Sequence, residues 1–130
     1  MLHIPESLYQ PATPDVAARR RELAPDIHEA WGRFSRTVFA PGALDERTKQ
    51  LIAVAVAHVT QCAYCIAGHT KVAKRRGATD EQIMEAIWVA AELRAGGAFA
   101  HSTIALKVLG AHAHTNGAAA HEAGVTAAAG

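Results

Sequence analysis

The sequence predicts an all-α protein, and three features carry that reading. Apolar residues recur at helical spacing along most of the chain, and no segment alternates apolar and polar residues as a half-buried strand does. Half of the 130 residues are apolar while only 5% are aromatic, so the core has to be built from Ala, Val, Ile and Leu. Such small side chains suit closely packed helices. A chain of this length reads as one domain, long enough to bury a core without cross-links.

Each element has its own signal. Residues 1–12, punctuated by Pro5 and Pro11, read as an extended N-terminal arm, and residues 13–109 as the helical domain. Thr13-Pro14-Asp15 offers a helix start, with Pro14 suited to the first turn. Pro25 splits the pattern that follows into two helices. In the second of these Ile27, Trp31, Phe34 and Val38 form an apolar stripe that Pro41-Gly42 ends. Trp31 and Trp88 read as core or interface anchors. Asp45-Glu46 places acid at the start of the next helix. Its run Leu51-Ile52-Ala53-Val54-Ala55-Val56-Ala57 is apolar on every side, which predicts burial all round, at the centre of the domain or between subunits. Thr60-Gln61 interrupts it. A short helix then extends to about Arg75 and stops at Gly77, and the basic run Lys71, Lys74, Arg75, Arg76 reads as a helix C-terminus meeting solvent. Thr79-Asp80-Glu81-Gln82 carries a cap and an acidic first turn for a helix whose apolar positions are Ile83, Ile87, Ala90 and Ala91. Gly96-Gly97 either breaks that helix or admits a close neighbour, and a further helix is expected over 98–109. From Gly110 the chain is Ala, Gly and His with almost no large apolar side chain. Residues 110–130 therefore read as a disordered tail, with His112, His114 and His121 incidental to it.

Composition excludes several functions. Thirteen basic against twelve acidic residues leave a formal charge of +1, no footprint for nucleic acid or an anionic membrane. The longest apolar run, Leu51 to Val59, falls well short of the roughly 18 residues that span a bilayer. The N-terminal residues lack the pattern of a secretion signal. Two cysteines are too few for a disulfide framework, and a close pair in a reducing compartment is redox-active or metal-binding more often than structural. A cytoplasmic location is expected.

The chemistry concentrates in Cys62-Ala63-Tyr64-Cys65-Ile66-Ala67-Gly68-His69. On a continuous helix the three- and four-residue offsets put Cys62, Cys65 and His69 on one face. A thiolate rather than a thiol attacks a peroxide or disulfide, and a helix N-terminus or an adjacent base generates it. A second thiol one turn away traps a sulfenic acid as a disulfide before it over-oxidises. His69 is placed to accept the Cys65 proton. A metal reading stands beside this, because His58, Cys62, Cys65 and His69 make a Cys₂His₂ set of the kind zinc favours. Those residues span about 16 Å of continuous helix, too far to converge on one ion without a sharp break near Gln61 or ligands from another subunit. No metal or other cofactor is expected. His58 reads first as a hydrogen-bonded structural residue and second as site lining or a subunit contact, His101 as structural or interfacial, and Tyr64 as a donor to the site or a shield over it.

The apolar run leading into Gln61-Cys62-Ala63-Tyr64-Cys65-Ile66-Ala67-Gly68-His69, together with Gly77-Ala78-Thr79-Asp80-Glu81-Gln82-Ile83 and Gly96-Gly97-Ala98-Phe99-Ala100-His101, resembles the alkylhydroperoxidase D-like, carboxymuconolactone decarboxylase superfamily over roughly residues 30–109. The C-x-x-C-x-x-x-H motif resembles its peroxidase-like branch, whereas the lactone decarboxylases generally lack the cysteine pair. The resemblance implies an all-α helical bundle assembled as a homotrimer or a multiple of trimers. It implies a dithiol/disulfide cycle that reduces hydroperoxides and is recharged by an external dithiol or a protein electron donor. It also implies Cys65 as the nucleophile, Cys62 as the resolving thiol and His69 as part of a proton relay.

The chain departs from the family at Gln50, where a glutamate usually forms the far end of that relay. An amide can orient a proton carrier but cannot take up a proton near neutral pH. Glu46, one turn earlier on the same face, is the candidate substitute. The leading expectation is a thiol-dependent peroxidase, with a disulfide reductase or electron carrier for a partner peroxidase as the alternative. A redox-sensing or metal-binding oligomeric scaffold is the reading from another class, and a carboxymuconolactone decarboxylase ranks below these.

Overall fold

The computed structural model describes residues 9–127, with side chains through His112, and among them every regular element is a helix. The order is α1 (Pro14–Leu23), α2 (Pro25–Phe39), α3 (Glu46–Thr60), α4 (Ala63–Arg75) and α5 (Asp80–Ala127). The chain divides into two units, the first ending at Ala91 and the second beginning at Glu92.

In the first unit the boundaries follow local chemistry. The Thr13 hydroxyl accepts the Val16 N–H at 3.4 Å, and Pro14 opens α1. Pro25 separates α1 from α2 as its missing N–H requires. Asp45 caps α3, its Oδ1 accepting the Thr48 N–H at 2.7 Å. At the other end Gln61 turns left-handed, φ 57° and ψ 39°, so α3 stops there and Cys62 begins the next helix as its N-cap. α4 ends in a Schellman turn. Gly77 sits at φ 89°, its N–H reaches the Lys74 carbonyl, and the Ala78 N–H reaches Ala73, both at 3.0 Å. Thr79 and Gln82 then form a reciprocal capping box: the Gln82 N–H donates to the Thr79 hydroxyl at 3.1 Å and the Thr79 N–H to Gln82 Oε1 at 3.0 Å.

α3 and α4 form an antiparallel hairpin, the most extensive helix pairing in the unit. The core is small: Val54 of α3, Ala73 of α4, Ala78 of the turn and Ile83 of α5 are buried, with Leu51 and Ile87 packed against them. Alanines at Ala57, Ala73, Ala78 and Ala90 let backbones approach closely.

Three open readings are narrowed on the single chain. α3 is not buried all round. Val54 and Ala57 are inside, while Ile52, Val56 and Val59 remain 43–52% exposed on the single chain. Trp31 and Trp88 are not core residues of this chain, being 66% and 68% exposed. Gly96-Gly97 does not break a helix, since α5 runs through both. Each glycine costs about 1 kcal/mol relative to alanine, and the surrounding Ala, Leu, Glu and Arg residues absorb that. α5 also continues past Gly110 to Ala127, consistent with alanine being the best helix former. The side chains of His114 and His121, and arm residues 1–8, lie outside the described residues.

Candidate functional site

The N-terminus of α4 carries the cysteines. Cys62 is the N-cap, and its sulfur accepts the Cys65 N–H at 3.2 Å. Cys65 occupies the third helical position, and the two residues are joined in a disulfide with Cα atoms 5.2 Å apart. The motif is therefore not a run of one continuous helix. The first cysteine caps a helix, the second lies inside its first turn, and His69 follows one turn later.

His69 has two defined neighbours. Its Nδ1 lies 2.8 Å from Gln50 Oε1, across the α3–α4 hairpin. An amide oxygen only accepts, so this contact puts the proton on Nδ1 and leaves Nε2 as a bare nitrogen able to take one. Gln50 is the sole buried polar residue of the described core, 6% exposed. Phe39, the last residue of α2, stacks on the imidazole with ring centres 5.0 Å apart and planes 28° apart. Lys49 holds Phe39's helix end in place: its ammonium donates to the carbonyls of Val38 at 2.8 Å and Ala40 at 2.5 Å, capping α2 against α3. Sequence reasoning missed both Phe39 and Lys49. A lysine next to Gln50 at the mouth of an apolar run was the available signal.

Two cavities meet at this point. One, about 390 Å³, is lined by Val38, Phe39, Lys49, Ile52, Ala53, Val56, Ala57, Thr60, Cys65 and His69. The other, about 590 Å³, is lined by Ser35, Arg36, Phe39, Gln50, Tyr64, Cys65, Gly68, His69, Lys71, Val72 and Arg75. Cys65 and His69 border both, while Cys62 borders neither.

Of the remaining sequence candidates, Tyr64 stays at this centre, lining the larger cavity, while Glu46, His58 and His101 line neither cavity. Glu46 is bound to Arg76 Nε at 2.7 Å, because the hairpin brings the end of α4 to the start of α3. It faces that cation, while Gln50, and not Glu46, is the α3 side chain hydrogen-bonded to His69. His58 donates from Nδ1 to the Val54 carbonyl at 2.7 Å and lines neither cavity. His101 makes the same contact with Gly97 O at 2.7 Å. Tyr64 donates its hydroxyl to the Gln10 carbonyl at 2.8 Å and packs its ring 6.0 Å from that of Tyr9, so the arm crosses the turn between the cysteines. The break at Gln61 that a zinc site would need is present. Even so, among the described residues no group of three or more His, Cys, Asp or Glu side chains is arranged to hold a metal ion.

Residues 25–108 match the carboxymuconolactone decarboxylase family. The chain is similar to uncharacterized protein 4 in the cox locus of Paracoccus denitrificans, 70% identical over 83 residues, which cover 64% of this chain and 75% of that one. It is similar to a protein from Methanobacterium thermoautotrophicum whose crystal structure is known, at 35% identity and a TM-score of 0.60 over 63% of this chain and 92% of that one. It is also similar to the apo crystal structure of a carboxymuconolactone decarboxylase family protein from Legionella pneumophila, at 32% identity and a TM-score of 0.56 over 58% of this chain and 68% of that one. The chain belongs to the carboxymuconolactone decarboxylase family.

Proposed function

We propose that the protein is a thiol-dependent peroxidase that cycles Cys62 and Cys65 between dithiol and disulfide to reduce hydroperoxides. One observation carries the reading. Cys65 and His69 together border two open cavities, and the Gln50 amide oxygen faces His69 Nδ1, an orientation that leaves Nε2 as a base.

In the cycle, His69 Nε2 takes the Cys65 proton and the thiolate attacks the terminal peroxide oxygen. The O–O bond breaks, the alkoxide leaves as an alcohol with the proton from His69, and Cys65 becomes a sulfenic acid. The Cys62 sulfur then attacks the Cys65 sulfur, and hydroxide departs as water with the Cys62 proton. The resulting disulfide is the state the structure holds. Two electrons from an external dithiol or a protein donor restore both thiols. The cycle needs no cofactor, and it belongs in a reducing compartment such as the cytoplasm. Among the described helices none is long and apolar enough to cross a membrane. Exposed Trp31, Trp88, Phe99 and Leu106 support assembly as a homo-oligomer, a trimer or its multiple.

The test is free-thiol titration of reduced protein before and after one equivalent of hydrogen peroxide or an organic hydroperoxide. Rapid loss of both thiols in the parent and its block in Cys65→Ser are expected. Thiols that survive peroxide but are oxidised by a protein disulfide would replace this reading with a disulfide reductase or electron carrier. The neutral Gln50 favours that second reading, since it passes no proton onward. Lactone decarboxylation draws no support from the site, because it has no use for two cysteines one turn apart.

A further inference from the structure

The basic run on α4 is divided by its partners. Lys74 pairs with Asp80 at 2.6 Å and Arg76 with Glu46 at 2.7 Å, both outside the larger cavity. Lys71 and Arg75 instead line that cavity, opposite Arg36 of α2, and none of these three is paired with a carboxylate among the described residues. No Asp or Glu lines the cavity. A cluster of like charges held beside a reactive sulfur is unfavourable by itself and becomes favourable when an anion enters. On the other side of Cys65, the smaller cavity presents Val38, Ile52, Ala53, Val56 and Ala57. Its one charged group, Lys49, is occupied by two carbonyls.

Resting on the peroxidase reading, we propose that the substrate is an amphipathic anion: a hydroperoxide on an apolar chain whose carboxylate is held by Arg36, Lys71 and Arg75. The apolar chain occupies the smaller cavity, the carboxylate the basic one, and the peroxide group lies where the two meet, at Cys65 and His69. Water-filled space around isolated cations would serve hydrogen peroxide equally well without either feature. The pairing of an apolar and a basic chamber across one thiol specifies a molecule with both kinds of end.

The experiment compares thiol loss with a long-chain fatty-acid hydroperoxide and with its methyl ester, which differ only in the charge. The acid is expected to react about tenfold faster at low salt, as one or two partly screened ion contacts allow. The advantage should shrink as salt rises. In Lys71→Gln/Arg75→Gln the acid-to-ester ratio falls to about one, while Lys74→Gln, on the same helix but paired with Asp80, keeps the parent ratio. Equal rates in the parent, or an unchanged ratio in the double variant, overturn the assignment. A second readout needs no peroxide: calorimetric titration with decanoate and with decanol. Preference for decanoate, lost in the double variant, upholds the anion site even if no hydroperoxide is reduced, in which case the peroxidase reading alone falls. Absence of that preference overturns the anion site whatever the peroxidase result.

Discussion

Replacing Gln50 with glutamate tests the relay at its one neutral link. The side chain is 6% exposed and its oxygen lies 2.8 Å from His69 Nδ1, so Gln50→Glu puts a carboxylate in the same position with little change in volume. Two effects follow. A carboxylate has no donor, so the tautomer with the proton on Nδ1 is fixed; an amide can rotate, donate to Nδ1 and leave the proton on Nε2, which then cannot act as the base. The hydrogen bond also becomes charge-assisted once His69 is protonated. Such bonds contribute about 1.5–3 kcal/mol against about 0.5–1.5 for neutral ones. The difference of about 1.4 kcal/mol is about a tenfold gain in the protonated state that follows thiol ionisation. Gln50→Glu should therefore speed loss of the Cys65 thiol to one equivalent of hydroperoxide about tenfold, followed by stopped-flow with a thiol reagent. Gln50→Leu should slow it by a similar factor. Equal rates for all three proteins would refute the reasoning, because His69 would then act without its α3 partner or not at all.

Other consequences are structural. Val54 is fully buried, so Val54→Ala should cost about 2 kcal/mol, read as a lower urea midpoint at unchanged slope. Gly77→Ala forces a Cβ into φ 89° and should lower Tm by about 5 °C, for a loss of about 1 kcal/mol. The Thr48 N–H, assisted by the Thr48 side chain, holds the Asp45 carboxyl below its ordinary value. Its stabilisation is thus present above the ordinary carboxylate range and lost as pH falls through the lower folded value. The fall in urea midpoint between about pH 5 and about pH 2 should then be smaller in Asp45→Asn. Phe99 is 82% exposed, and light scattering should give an oligomeric mass that Phe99→Glu reduces. A monomeric parent at micromolar concentration would contradict that.

What the sequence disclosed was set by local chemistry. Pro25, the Asp45 cap, Gly77 and the Thr79–Gln82 box each act within a few residues, and each appears where its pattern predicts. The left-handed turn at Gln61 was only partly legible: Thr60-Gln61 marked an interruption, but not that Cys62 would become a cap. Contacts across the hairpin were harder to read. Glu46 and Gln50 share a face of α3, yet the antiparallel run of α4 delivers Arg76 to one and His69 to the other. Phe39 on His69 and Lys49 on the α2 carbonyls depend on how α2 meets α3, which no periodicity encodes. Exposure was least legible. An all-round apolar helix predicts burial without saying whether its own chain or another copy supplies the cover.

The two cysteines are inequivalent in a way that bears on the proposed cycle. Helix electrostatics favour a thiolate at Cys62, whose sulfur already accepts an N–H at the start of α4, while access favours Cys65, which borders both cavities. These tendencies cooperate rather than compete. A thiolate on Cys62 is ready to attack a sulfenic acid on Cys65. In the disulfide state Cys62 is the better leaving group, because exchange expels the more stable thiolate. An incoming donor therefore attacks the sulfur it can reach, Cys65, and releases the one the helix stabilises. The mixed disulfide with the donor should form on Cys65, so in Cys62→Ser the Cys65 thiolate, attacking the disulfide of the oxidised donor, should stay trapped in it, whereas Cys65→Ser should not, as read by mass spectrometry. Trapping on Cys62 instead would mean that the cap, and not the cavity, decides which sulfur meets the donor.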